Sequence, residues 1–177
     1  MNALVQKKAQ VEQVQVSEDD QYLTFSLAGE MFGVGIMSIK EIIEYGSITS
    51  VPLMPGFVRG VINLRGRVVP VIDLQARFGR PSSPVEKRTC IVIVEVAGVE
   101  DALDIGVVVD AVSEVMAIPA SDIEKAPSFG AKLRQDFLRG MGKVDGKFVI
   151  LLDISQVLSV EELSGLVGHL DEVQAAD

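Results

Sequence analysis

The chain is poor in the residues on which covalent bracing and much enzyme chemistry depend. Among 177 residues there is one cysteine (Cys90), one histidine (His169) and no tryptophan. A lone cysteine excludes a disulfide framework, and one cysteine with one histidine cannot furnish a Cys/His zinc site. Catalysis of the Ser–His–Asp or Cys–His type would have His169 as its only imidazole base, and that residue lies within the last ten of the chain. Long apolar runs are missing too. Residues 45–58 carry no charge over 14 positions, but Pro52 and Pro55 interrupt a stretch already too short to span a bilayer. Lys7 and Lys8 lead into Gln, Val and acids, so no export signal is expected, and the cysteine usage fits the cytoplasm.

Apolar side chains are plentiful. They make up 48% of the chain against 23% charged, which excludes a mostly disordered protein, and the length suits one domain or two small modules sharing a core. The formal charge is −9, unevenly placed. Residues 1–20 sum to −2 and residues 159–177 to −5, leaving 21–158 at −2. Within that body, 59–88 carry seven bases against Asp73 and Glu86 (+5), whereas 89–124 carry eight acids and no base (−8). The two segments are either solvated clusters or opposite poles presented to partners.

Residues 1–20 lack periodicity and read as a tail. Valine and isoleucine number 41 in the whole chain, and from Gln21 onward they crowd into short runs at 22–27, 61–64, 68–72, 90–96, 105–109 and 148–152. β-branched runs of this length between turn residues predict strands, and strands at this spacing predict small barrels. Helices are few. Asp73 is placed to cap one or two turns over 73–78, its carboxylate accepting from the first free amides. Ser159 and Glu162 form a capping box ahead of Val160, Leu163, Leu166, Val167 and Leu170, which predicts an amphipathic C-terminal helix with His169 on its polar side.

The chain also repeats itself. Residues 57–78 align with 137–158 at an offset of 80: Phe57, Arg59, Gly60, Gly66, Val69 and Asp73 recur as Phe137, Arg139, Gly140, Gly146, Val149 and Asp153. Ile39, Glu41 and Ile42 recur as Val112, Glu114 and Val115 at an offset of 73, and Leu27-Ala28-Gly29 as Val96-Ala97-Gly98 at 69. A period near 75 is too long for a solenoid unit. Two related modules are expected, at about 21–85 and 86–158.

The copies differ at one informative place. In the second, the hairpin turn is Asp145-Gly146, residues that tolerate positive φ; in the first it is Arg65-Gly66. Arginine is a poor residue there. Either this hairpin has a different geometry that accepts any exposed residue, or Arg65 is placed for a charge contact. Glu41 is the candidate partner, since a guanidinium can hold a carboxylate through two parallel bonds. Residues 38–41 fit a single capped turn, with a strand following over 42–45.

Phe57-Val-Arg-Gly60-Val-Ile-Asn63-Leu-Arg65-Gly66, followed by Val68-Val-Pro70-Val-Ile-Asp73-Leu74, closely resembles the signature of CheW-type chemotaxis coupling proteins. Residues 21–29 resemble that family's first strand and turn, and 106–115 the opening of its second half. The resemblance covers about 21–158. It implies two intertwined five-stranded barrels of the Src-homology-3 kind, no catalytic activity and no cofactor. It implies an adaptor between chemoreceptor cytoplasmic tips and the regulatory domain of the histidine kinase CheA, with further copies of the chain as possible neighbours in array rings. A groove between the barrels would take a helical receptor tip, with Ile39, Ile42 and Val115 lining it and Glu41 and Arg65 at its rim. Gly60 would match a position where a side chain obstructs packing, and Asn63 belongs to the same motif. The second copy reads Lys143-Val-Asp-Gly146, so the arginine role does not transfer there.

Two other classes fare worse. A single-strand nucleic-acid binder needs aromatic platforms in a basic groove, but the body is net negative and has only Tyr22 and Tyr45 as tyrosines. Residues 140–148 superficially resemble a phosphate loop, but Phe148 stands where a metal-binding hydroxyl is required. An equivalent adaptor in twitching motility or surface sensing would use the same surface as one serving swimming.

Overall fold

In the computed structural model, which describes residues 20–97, 101–125 and 135–158, the valine- and isoleucine-rich runs are strands. In chain order these are β1 (Gln21–Leu27), β2 (Glu30–Gly35), β3 (Ile39–Glu44), β4 (Val58–Leu64), β5 (Arg67–Asp73), β6 (Cys90–Val96), β7 (Leu103–Val109), β8 (Ala111–Ala117), β9 (Ile123–Glu124), β10 (Leu138–Val144) and β11 (Lys147–Leu152). Two one-turn helices, α1 (Leu74–Arg77) and α2 (Ile154–Val157), follow β5 and β11. Asp73 caps α1 as expected, its Oδ1 accepting from the Ala76 amide at 3.2 Å. Asp153 holds the matching position before α2 without that bond; its carboxylate instead accepts from the Ser155 hydroxyl at 2.6 Å. Residues 1–19 of the expected tail over 1–20, and the C-terminal helix with His169, lie outside the described residues.

One expectation is corrected here. The single turn precedes residues 38–41: a 3₁₀ turn spans Ile36–Ser38, and the strand begins at Ile39. Backbone bonding to β6 over Ile39–Glu44 decides this, overriding the local capping pattern.

The strands form two sheets, ordered β8-β1-β2-β11-β10-β9 and β3-β6-β7-β5-β4. Neither is drawn from one copy of the repeat. The first takes β1 and β2 from one half and β8–β11 from the other; the second pairs β6 and β7 with β3–β5. The sequence repeat near 85/86 is therefore not a sheet boundary. Matching parallel contacts make the join, β11 to β2 (Leu151 opposite Gly33) and β5 to β7 (Val71 opposite Gly106).

This interleaving explains why β6 is apolar without alternation over Cys90–Val94. Ile91 and Ile93 point into a small core with Ile62, Val69, Val71 and Val108, whereas Val92, Val94 and Val96 point into a larger core shared by both sheets. A strand buried on both faces needs no polar residue at every second position. Tyr22, Ile118, Val149 and Leu151 fill the interior of the first sheet. A line of aromatic rings crosses the shared core: Phe25 to Phe32, Phe32 to Phe78 and Phe78 to Phe137, with centroids 5.8–6.2 Å apart.

The topology also corrects the picture of two opposed charge poles. β5 of the basic segment lies beside β7 of the acidic one, and Arg67 pairs with Asp104 at 3.1 Å. The opposite charges are neighbours in one sheet and partly neutralise each other.

Candidate functional site

The β4–β5 hairpin builds the site. Arg65 and Gly66 have φ of 53° and 82°, and Asp145 and Gly146 of the second copy have 50° and 78°. The two turns are therefore the same type, and a different hairpin geometry does not account for the arginine. Arg65 holds a backbone conformation that disfavours a side chain with a Cβ. Asn63 supports it, its Oδ1 accepting from the Gly66 amide at 2.9 Å.

From this turn the Arg65 guanidinium reaches Glu41 on β3. Nη1 donates to Oε1 at 2.6 Å and Nη2 to Oε2 at 2.9 Å, the two-bond fork that a carboxylate accepts in only one orientation. Arg65 is 74% exposed and Glu41 27%. Hydrogen bonding from Arg65 holds the Glu41 carboxyl below the usual glutamate range, and the same bond raises the guanidinium. A lowered carboxyl pKa means that the contact is present at neutral pH and is lost as pH falls through the folded-state value. Carbon-detected NMR titration is expected to place the Glu41 midpoint below that of ordinary glutamates, and Arg65→Ala to return it to them. An unchanged midpoint in the variant would show that the fork is not maintained in solution.

The remaining expected residues divide by exposure. Ile42 and Val115, equivalent in the two copies, are 44% and 49% exposed. Val115 lies on β8 in the other sheet, opposite Leu23 of β1. Ile39 and its counterpart Val112 are half-buried against the shared core, one from each sheet. Aliphatic positions thus flank that core from both sides. Gly60 is buried with φ +149°, and a Cβ there would overlap the Thr49 carbonyl oxygen and lie 2.9 Å from Ile48 Cγ2. The reason is a crossing segment: Thr49 exchanges backbone bonds of 2.9 Å with Val61 in both directions.

Several residues escaped the sequence reading. Arg59 binds the buried Asp73 through Nε and Nη2 (3.1 and 2.9 Å) and donates from Nη1 to the Tyr45 hydroxyl at 2.8 Å. Lys40, Arg67, Glu95 and Asp104 form a second charged group beside Arg65. No local signal marks it, because Lys40 and Asp104 are 64 residues apart. Among the described residues no group of three or more His, Cys, Asp or Glu side chains could hold a metal ion. Nor is any helix there long and apolar enough to cross a membrane.

Comparison with known proteins agrees with this geometry. A family model described as a CheW-like domain matches residues 21–162. The chain is 34% identical over 144 residues to chemotaxis protein CheW of Klebsiella aerogenes, covering 81% of this chain and 84% of that one. It is 31% identical to chemotaxis protein CheW of Rhizobium meliloti, over 79% of this chain and 88% of the relative. The crystal structure of scaffolding protein TtCheW from Thermoanaerobacter tengcongensis superimposes with a TM-score of 0.70 at 35% identity, covering 81% of this chain and 90% of that chain. With the two interleaved sheets, the Gly60 crossing and the Arg65 turn all in place, the chain belongs to the CheW-like family, whose members are non-catalytic scaffolds built on two Src-homology-3-like barrels.

Proposed function

We propose that this chain couples the cytoplasmic tips of chemoreceptors to the histidine kinase CheA, as a connector in a membrane-associated signalling array in the cytoplasm. The Arg65–Glu41 fork is the observation that carries the reading. It places a sterically disfavoured arginine on an exposed turn, where folding gains little from it, and fixes its orientation against Glu41 on β3. A surface charge held so firmly is suited to recognition. Ile39, Ile42 and Val115 supply the apolar contacts for a helical receptor tip, and Gly60 and Asn63 hold the backbone that carries the fork. The regulatory domain of CheA and further copies of this chain complete the set of partners, with no role for nucleic acid.

The test is co-sedimentation of the full chain with a receptor cytoplasmic fragment on vesicles and with CheA, reading kinase activity. All three components together are expected to pellet and to raise autophosphorylation above that of CheA alone. A chain that stays in the supernatant would refute the reading. A 28% identical relative, protein FrzA of Myxococcus xanthus, motivates a second arm. Receptor fragments from swimming and non-swimming pathways are compared, and the stronger activation identifies the pathway served.

A further inference from the structure

Glu41 could in principle be claimed by three cations, yet its two oxygens both go to Arg65. Lys40 is its neighbour in sequence, and the Lys40 charge is felt at the Glu41 carboxyl. Arg67 lies two residues beyond Arg65. A β-bulge between Ile39 and Glu41 disturbs the usual alternation of faces. Lys40, Glu41, Leu64, Arg65, Arg67 and Asp104 consequently line one surface hollow of about 370 Å³.

Lys40 and Arg67 are both held elsewhere. Asp104, on β7, takes Lys40 Nζ on Oδ1 at 2.9 Å and Arg67 Nη1 on Oδ2 at 3.1 Å. Lys40 is also 3.1 Å from Glu95 on β6. Asp104 is only 8% exposed, whereas Lys40 is 41% and Arg67 63% exposed. The anchor is therefore the most sheltered member, and the two cations fold inward onto it. The cations Lys40, Arg65 and Arg67 balance the acids Glu41, Glu95 and Asp104 one for one. Losing one acid leaves a cation without a carboxylate, and the nearest other acid in the hollow is Glu41.

We infer that Asp104 is a positioning residue for the partner-binding fork: by sequestering Lys40 and Arg67 it reserves Glu41 for Arg65. This deepens the adaptor reading and rests on it for its functional consequence, but the charge partition itself is independent of that reading. Asp104 acts through other side chains and needs to touch no partner.

The experiment uses the full chain with Asp104→Asn, which keeps the shape and removes the charge. It is read by NMR of the Arg65 guanidinium protons and by kinase activation in the vesicle assay. In the parent chain slowed guanidinium rotation is expected from the two-bond contact. Asp104→Asn is expected to abolish that signature and to lower activation at least fivefold. Adding Lys40→Gln and Arg67→Gln to Asp104→Asn removes the competitors, and both readouts are expected to recover. A buttress role for Asp104 predicts the reverse, no recovery in the triple variant, and that result overturns the inference, as does an intact signature in Asp104→Asn alone. If Asp104→Asn does not fold, Lys40→Gln with Arg67→Gln in the Asp104 background decides. The inference requires that this variant retain the signature, and its loss would show that those cations support the fork. Failure of the parent chain to activate the kinase would refute the adaptor reading, while the NMR arm still decides the charge partition.

Discussion

Arg65→Glu is expected to leave the melting temperature nearly unchanged while abolishing kinase activation in an array reconstituted from receptor fragment, CheA and this chain. The substitution places two carboxylates where a two-bond ion pair stood. Arg65 is largely solvated, so water absorbs most of the folding cost of that repulsion. A partner surface that docks against the fork has no such relief, because desolvating two like charges opposes binding directly. Kinase activation should therefore fall at least about tenfold, the scale expected when one member of a hydrogen-bonded charge pair is lost from an interface. Differential scanning calorimetry and the vesicle kinase assay on the same sample separate the two effects. A variant that unfolds would show that the arginine is structural, and the recognition argument would fail.

Gly60→Ala should act in the opposite way, on the fold itself. The added methyl group collides with the Thr49 carbonyl, a backbone atom held by its bond from Val61. The φ of +149° is strained for any residue with a Cβ. Steric overpacking and backbone strain each cost about 1–3 kcal/mol, so a loss of about 3 kcal/mol is expected. For a chain of this size that lowers the melting temperature by about 6–12 °C. Gly140 is the counterpart in the second copy, and its Cβ would meet Ile123 Cγ2 at 2.6 Å and the Glu124 carbonyl oxygen at 2.9 Å. Its φ lies outside the strained region, so Gly140→Ala should cost less. Equal losses at the two positions would show that the strain component is negligible.

Much of this architecture was legible in the chain, for identifiable reasons. Cys90–Val96 reads directly as a strand because its run Ile91–Val94 is β-branched and buried on both faces. The Arg65–Glu41 contact was legible because the repeat supplied an internal control, an Asp-Gly turn against which an Arg-Gly turn stands out. β2, β8 and β10 were not. Leu138-Arg-Gly-Met-Gly-Lys-Val144 contains two glycines and two cations and has almost no strand signal of its own. It is a strand because the Asp145-Gly146 turn returns the chain along β11 and the ladder fixes it there. The start of β3 was misplaced for the same reason, since pairing to β6 overrides a local turn pattern. The Asp104 cluster is invisible in sequence because its members come together only when β3, β5, β6 and β7 lie side by side.

The exchange of strands between the two halves also has a mechanical consequence. Because the chain passes into the second sheet between β2 and β3 and returns to the first between β7 and β8, two crossovers and one shared core tie the barrels together, and pulling them apart would mean stripping that core open. Opening a simple hinge would cost far less. A displacement imposed on one barrel is thus passed to the other as a rigid-body movement, with little lost to slack between them. In a connector seated between two larger machines, such stiffness lets a small shift at one contact arrive undiminished at the next.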